Sequence, residues 1–103
     1  MNNVYIMSAN RSAIGGFGGT LKNHCPVDLG TLVAKEAIAR SGYEADEVEH
    51  AVFGNVIHTE PRDMYVSRVI ALQAGMNKTS AALTVNRLCG SGLQAIVSAS
   101  QIL

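Results

Sequence analysis

The chain has 103 residues with a formal net charge of zero, and 48% of its residues are hydrophobic whereas 16% are charged. This composition argues against a disordered chain, because apolar surface is ample, and against a nucleic-acid binder, because no basic excess could neutralise phosphates. We expect neither a membrane span of about 18 apolar residues nor a secretory signal, and the two cysteines favour a reduced, cytoplasmic protein over a disulfide scaffold.

The chain alternates short strand-like runs with helix-like runs. Residues 4–9 are rich in β-forming side chains and predict an opening strand, which leads into the glycine-dense loop 15–19. The first predicted helix begins at Pro26, has Asp28 near its positive end and stops at Gly42. Residues 50–57 predict the second strand.

The same alternation continues to the end of the sequence. Pro61 begins a second predicted helix that stops near Gly75, and residues 81–85 predict a third strand. The turn 86–92 then opens a last helix from about Leu93. The resulting order, β-α-β-α-β-α, is typical of an α/β domain with crossover connections.

The last predicted helix is apolar on most of its sides, with Gln94, Ser98, Ser100 and Gln101 as its polar residues. Such a helix has to be buried in a sizeable core. No helix-stop residue follows it, and the sequence finishes on two apolar residues. We therefore expect a chain that is cut within this helix and belongs to a larger core.

Cys89 is the strongest candidate for chemistry. It lies in the turn between the third strand and the last helix, and a sharp strand-to-helix turn presents a nucleophile at the edge of a sheet. The positive end of a helix stabilises a thiolate, and Gly90 and Gly92 let main-chain N–H groups approach an oxygen that gains charge. The alternative is a buried structural cysteine, and the local pattern does not separate the two interpretations.

Three other patterns are weaker. The loop 15–19 does not fit G-x-G-x-x-G, because Leu21 occupies the last position, so we expect a surface connection rather than a phosphate cradle. His24 and Cys25 are adjacent on the chain and just before a helix, which favours a structural or surface role over a catalytic pair. The histidines and cysteines lack the spacing of metal ligands, so we expect no metal site.

Segment 59–64 concentrates unlike charges around the start of the second predicted helix. One interpretation is a capped and solvated helix start. The other is that Arg62, Met64 and Tyr65 line a substrate pocket, which the spacing alone does not demand.

Residues 84–96 resemble the acyl-enzyme cysteine motif of the thiolases, the family of acetyl-CoA acetyltransferases and 3-ketoacyl-CoA thiolases. The opening segment 4–19 and the segments 28–30 and 52–56 follow the family's order, so the resemblance covers essentially the whole chain. Ser12 and Ala13 stand where Thr-Pro is more usual. Segment 59–65 departs from the usual Gly-Gln-Asn-Pro-Ala-Arg and is similar to β-ketothiolases of broad acyl range.

The resemblance implies a thiolase-like α/β fold, a mixed five-stranded sheet with a buried helix, to which residues 1–103 contribute the first part of the N-terminal domain and three strands. It implies that Cys89 forms an acyl thioester in the thiolytic cleavage of 3-oxoacyl-CoA or in the reverse Claisen condensation with acetyl-CoA. The Cys89 backbone N–H would contribute to an oxyanion hole. Coenzyme A thioesters are then the substrates, no cofactor is needed, and the complete protein is a homodimer or homotetramer.

In this family the histidine that activates the cysteine and a second catalytic cysteine lie in the C-terminal half, and neither motif occurs in these 103 residues. We therefore expect the chain alone to be inactive. Two alternatives remain open. The chain is a non-catalytic truncated or split thiolase fragment, or it belongs to a cysteine-dependent condensing enzyme of the β-ketoacyl synthase type.

Overall fold

The structure, a computed structural model, describes residues 3–103. Its helices and strands follow the order α1 (Pro26–Ser41), β1 (His50–Gly54), α2 (Val66–Gln73), β2 (Ala81–Val85) and α3 (Ser91–Ile102). Short 3-10 helices at Ala45–Glu47 and Pro61–Tyr65 precede β1 and α2. The described chain is therefore mixed α/β, as the sequence predicts.

The two strands form a parallel sheet, in register from His50 opposite Ala81 to Gly54 opposite Val85. The segment that connects them contains α2, which packs on both strands, and α3 packs mainly on β1. Parallel strands need a crossover of this kind, because the end of one strand and the start of the next lie at opposite edges of the sheet. Both strands therefore end at the same edge, which we call the carboxyl edge.

The opening strand predicted at residues 4–9 is wrong, because this segment has no strand structure. It runs along α1 instead, where the Ser8 hydroxyl donates to the Ala37 carbonyl at 2.8 Å and the Asn10 amide donates to the Val33 carbonyl at 3.0 Å. β-Forming side chains favour an extended backbone, but a strand also needs a partner for its N–H and C=O groups. Residues 3–103 thus supply two strands of a sheet rather than the expected three.

Helix α1 begins and ends as predicted. Pro26 lies in its first turn, and Gly42 ends it with a φ of 82°, a left-handed conformation that glycine adopts without a steric penalty. Val27 packs with Val66 and Ile70 of α2 into one buried apolar cluster. This cluster joins the two helices on one side of the sheet.

Most of the other boundaries differ from the predictions by a few residues. The strand predicted at 50–57 ends at Gly54, and β2 matches the predicted strand 81–85. The helix predicted from Pro61 begins as a 3-10 helix and becomes α2 at Val66. The last helix begins at Ser91, two residues before the predicted Leu93.

Helix α3 leaves much of its apolar surface uncovered. Ser91 and Ala95 are buried, whereas Leu93 and Ile96 are 67% and 57% exposed. The sequence predicts that this helix is buried, but residues 3–103 pack against only one of its sides and do not bury it. Among the described residues, no helix has the length and apolar character that crossing a bilayer demands.

Candidate active site

Cys89 lies just beyond the carboxyl edge, between the end of β2 and the start of α3. β2 ends at Val85, and Gly90 is the N-cap residue of the helix that begins at Ser91. The thiol is free, and the residue is exposed. Within the described chain, Cys89 is therefore not a buried core cysteine.

The turn around the nucleophile candidate, residues 86–90, is called the cysteine turn below. Ser91 makes two hydrogen bonds to this turn. Its buried hydroxyl accepts from the Arg87 N–H at 2.8 Å and donates to the Leu88 carbonyl at 2.6 Å. The Asn86 side-chain oxygen accepts from the Leu88 N–H at 3.0 Å. Side chains on both flanks thus hold the backbone next to Cys89.

Leu88, the residue before Cys89, has a φ of 48°. This left-handed conformation costs a leucine about 1–2 kcal/mol, because its Cβ crowds the following carbonyl oxygen. The leucine side chain is largely exposed, so its own packing cannot offset the cost. The hydrogen bonds of Ser91 and Asn86 offset the strain instead.

Main-chain N–H groups beside the Cys89 thiol are free to bind a ligand. In residues 3–103 no acceptor takes a hydrogen bond from the N–H of Cys89 or of Gly92. The first N–H groups of a helix lack partners within the helix, and together with the helix dipole they favour a negative charge. In the described residues, these two N–H groups are therefore unpaired donors at the positive end of α3.

Gly54, the last residue of β1, lets the start of α3 lie directly against the sheet. A Cβ at this position would be 2.7 Å from the carbonyl carbon of Ser91 and 2.8 Å from its Cβ, which is closer than Cβ atoms approach other atoms. Ser91 is hydrogen-bonded to the cysteine turn, so the absence of a side chain at Gly54 also influences the position of Cys89.

The loop that follows β1, residues 55–60, borders the cysteine turn. The Asn55 N–H donates to the Val85 carbonyl at 3.0 Å, and the Asn86 amide donates to the Val56 carbonyl at 3.5 Å. The Asn55 amide nitrogen also lies 2.9 Å from His58 Nδ1, within hydrogen-bond distance. The two segments that leave the carboxyl edge are thus joined to each other.

Asp63 is a buried carboxylate on the 3-10 helix Pro61–Tyr65, which follows this loop. Its Oδ2 accepts from the Thr59 N–H at 2.7 Å, the Thr59 hydroxyl at 2.8 Å and the Glu60 N–H at 3.2 Å. These hydrogen bonds, chiefly that from the Thr59 N–H, lower the pKa of Asp63 below its ordinary value against the opposing effect of burial. Its backbone carbonyl accepts from the Asn55 amide at 3.1 Å.

The sequence does not predict that Asp63 is buried, because the charges around it are equally typical of a solvated helix start. The capping-box spacing of Glu60 and Asp63 around a proline could have indicated the residue, since each partner of such a box binds backbone N–H groups.

The three weak substrate-binding candidates all lie on the 3-10 helix that precedes α2. Arg62 donates to Glu60 Oε1 at 2.8 Å and to Cys25 Sγ at 3.9 Å, and the charge of Glu60 raises the pKa of Arg62. Met64 and Tyr65 are exposed. Within the described residues no hydrogen bond joins these three side chains to the cysteine turn, so their contact with a substrate stays a prediction.

An open groove of about 660 Å³ lies beside the start of α1 and is lined by Lys22, Asn23, His24, Cys25, Pro26, Leu29, Thr59 and Glu60. Cys25 packs against the α1 and α2 cluster, which agrees with the structural role predicted for it. In the part of the chain that the structure describes, no group of three His, Cys, Asp or Glu side chains could hold a metal ion.

Comparison with known proteins defines the family. The family model described as "Thiolase, N-terminal domain" matches residues 4–103, which is nearly the whole chain. The chain therefore belongs to the thiolase family, and the resemblance found in residues 84–96 is confirmed.

Individual relatives agree with this assignment. The beta-ketothiolase BktB of Cupriavidus necator is 60% identical over 98 residues, which cover 95% of this chain and 25% of that protein. The crystal structure of the Bacillus anthracis acetyl-CoA acetyltransferase superposes with a TM-score of 0.86 at 43% identity, over 92% of this chain and 24% of the other. The human mitochondrial 3-ketoacyl-CoA thiolase in complex with CoA gives 0.81 at 38% identity, over 84% and 22%.

These superpositions confirm the predicted thiolase-like α/β fold. They also show that the chain spans about a quarter of the length of the relatives it matches.

Proposed function

We propose that residues 1–103 form the first part of the N-terminal domain of a thiolase, an acyltransferase that works through an acyl thioester on Cys89. The observation that carries the proposal is the exposed Cys89 thiol at the carboxyl edge, in a turn braced by Ser91. Membership of the thiolase family favours this function over a carrier-dependent condensing enzyme of the β-ketoacyl synthase type.

The proposed cleavage has two steps. The Cys89 thiolate attacks the 3-keto carbon of a 3-oxoacyl-CoA, and the carbonyl oxygen takes up the negative charge. The carbon–carbon bond then breaks, the acyl group stays on the sulfur as a thioester, and the departing acetyl-CoA takes up a proton. The sulfur of a second CoA then attacks the thioester carbonyl carbon and loses its proton, so that acyl-CoA forms, the bond to the Cys89 sulfur breaks and the Cys89 thiolate is regenerated.

The free N–H groups of Cys89 and Gly92 support this chemistry. They can donate to the oxygen that becomes negative during attack on the sulfur-bound acyl group. Removing one donor of an oxyanion hole typically costs a factor of about 100 to 1,000 in rate. The reverse reaction, a Claisen condensation of acyl-CoA with acetyl-CoA, uses the same acyl-Cys89 and the same donors.

Proton transfers to and from Cys89 are assigned to residues outside this chain. The resemblance places the activating histidine and a second cysteine in the C-terminal half of the family, and we give no such role to His24, His50, His58 or Cys25. The 103-residue chain alone is therefore proposed to be inactive in thiolysis.

Substrates and setting follow from the relatives. A beta-ketothiolase at 60% identity supports 3-oxoacyl-CoA substrates, and a related thiolase solved with CoA supports coenzyme A thioesters as ligands. The exposed Met64 and Tyr65, with Arg62, are weak candidates for contacts with the substrate. We propose a cytoplasmic homodimer or homotetramer that needs no cofactor.

A chimera tests the proposal. Residues 1–103 replace the matching quarter of the Cupriavidus necator relative, and the chimera is incubated with acetyl-CoA before peptide mass mapping. We expect one acetyl group on Cys89, no acetylation or thiolysis in Cys89→Ala, and both retained in Cys25→Ala. An active chimera with an unlabelled Cys89 would contradict the proposal, as would rapid thiolysis by the purified 103-residue chain.

A further inference from the structure

Asp63 carries a buried charge that the proposed thioester chemistry does not use. Its side chain is fully buried, although the neighbouring Met64 and Tyr65 are exposed. Within residues 3–103 no cation pairs with it, and the ion pair on the same 3-10 helix joins Arg62 to Glu60 instead. A buried carboxylate is stable in such a place only when hydrogen bonds compensate for the lost water.

The donors to Oδ2 all belong to the loop that follows β1, whereas the buried Oδ1 has no hydrogen-bond partner within the described residues. Three hydrogen bonds from Thr59 and Glu60 converge on Oδ2, and two of them come from backbone N–H groups. The backbone carbonyl of Asp63 binds the amide of Asn55 at the other end of the same loop. Asp63 thus holds both ends of the loop 55–60.

The loop in turn holds the cysteine turn. Asn55 binds the last residue of β2 through the Val85 carbonyl, and Val56 accepts from the Asn86 amide. The Asn86 side-chain oxygen accepts from the N–H of Leu88, which directly precedes Cys89. The Asp63 side chain is thus linked to the residue beside the nucleophile by hydrogen bonds together with the backbone of residues 55–60 and 85–86.

We infer that Asp63 is a positioning residue for Cys89, which acts by fixing the loop 55–60 against the cysteine turn. The inference rests on the proposed function, because it concerns the rate at which Cys89 takes up an acyl group. Alanine at this position removes the acceptor for all three donors. Asparagine keeps one acceptor oxygen but removes the charge that strengthens these bonds.

The test uses the chimera and measures acylation of Cys89 by acetyl-CoA in a single turnover. The amplitude gives the number of competent sites, and the rate constant gives the reactivity of each site. We expect Asp63→Ala to keep the amplitude of folded protein and to lower the rate constant on the order of 100-fold, since a displacement of about 1 Å has this effect. Asp63→Asn should lie between the alanine variant and the unsubstituted chimera.

Asp46 provides the matched control, because it is an exposed aspartate on the other 3-10 helix, Ala45–Glu47. Asp46→Asn should leave amplitude and rate constant unchanged. Thr59→Val removes one donor to Asp63 and leaves the carboxylate in place, so it should slow acylation by a smaller factor than Asp63→Ala does. If Asp63→Ala does not fold, Thr59→Val provides the test.

The outcomes separate the inference from the proposed function. Suppose that in Asp63→Asn and Thr59→Val the rate constant for acylation of Cys89 equals that of the unsubstituted chimera, and that only the amplitude or the melting temperature falls. Asp63 is then merely structural, and the inference is overturned. If the unsubstituted chimera never acylates Cys89, the proposed function fails first.

Discussion

Gly54→Ala would place a methyl group where β1 meets the start of α3. The new Cβ would lie 2.7 Å from the carbonyl carbon of Ser91, whereas ordinary contacts begin at 3.4 Å. The two backbones therefore have to separate by about 0.7 Å to restore a normal carbon–carbon contact. Ser91 cannot turn aside, because its hydroxyl binds both Arg87 and Leu88, so the cysteine turn has to move with it.

Two effects of this displacement can be estimated. Overpacking of a tight contact costs about 1–3 kcal/mol of folding stability. The effect on chemistry is larger, because a nucleophile displaced by about 1 Å loses on the order of 100-fold in rate. We expect the Gly54→Ala chimera to fold, to melt at a lower temperature, and to acylate Cys89 about two orders of magnitude more slowly.

Gly16→Ala is the matched control, since a Cβ at Gly16 would have no neighbour within 4 Å. Both variants are compared by differential scanning calorimetry and by single-turnover acylation with acetyl-CoA. If Gly54→Ala acylates Cys89 at the rate of the Gly16→Ala control, the close approach of strand and helix does not position the nucleophile, and the reasoning is refuted.

Three further predictions concern stability and are measured as urea unfolding midpoints of the chimera. Ser67→Ala removes a buried hydroxyl that accepts from the Phe53 N–H and donates to the Leu83 carbonyl, and should cost about 1–3 kcal/mol. Gly42→Ala forces a Cβ into a backbone with φ of 82° and should cost about 1 kcal/mol. Because the pKa of Asp63 is lowered in the fold, its contribution is complete above the ordinary value of 3.8 and is lost as the pH falls further. Asp63→Asn should therefore flatten the loss of stability in acid.

Each of these expectations has a control and a contradicting result. Ser100→Ala changes an exposed hydroxyl that bonds within α3 and should leave the midpoint in place, so equal midpoints for Ser67→Ala and Ser100→Ala would contradict the buried network. Gly16→Ala is also the control for Gly42→Ala. Equal urea midpoints for these two variants would contradict the argument that the left-handed conformation at position 42 requires glycine. Parallel acid profiles of Asp63→Asn and the unsubstituted chimera would contradict the pKa argument.

Features that depend on local preferences could be predicted from the sequence. Pro26 and Gly42 mark the ends of α1 because each has its own backbone preference, whatever the rest of the chain does. The cysteine turn was equally predictable, since a strand, glycines and a helix follow one another over a few residues. The start of α3 was misplaced by two residues because Gly92 was taken as part of the turn, although it lies within the helix.

Features that depend on pairing between distant segments could not be predicted. Residues 4–9 have the composition of a strand, yet Ser8 and the adjoining Asn10 bind α1. The need for a glycine at position 54 cannot be seen in the sequence, because it arises from the packing of α3 against the end of β1. Likewise, the capping-box spacing indicates that Asp63 binds backbone N–H groups but does not show that its side chain is buried, because burial depends on the residues that pack around it in the fold.

The parallel register also has a consequence for the order in which the chain folds. His50 pairs with Ala81, about thirty residues later, and closing a loop of that length has an entropic cost. Pairing of the two strands alone offsets this cost only after several residue pairs have formed. Ser67 of α2 bonds to both strands, so docking this helix shortens the search that the strands would otherwise make. The folding nucleus is therefore expected to contain α2 with both strands, and Ser67→Ala should slow refolding more than it speeds unfolding. The edge that presents Cys89 is in this way assembled early, before α3 settles against Gly54.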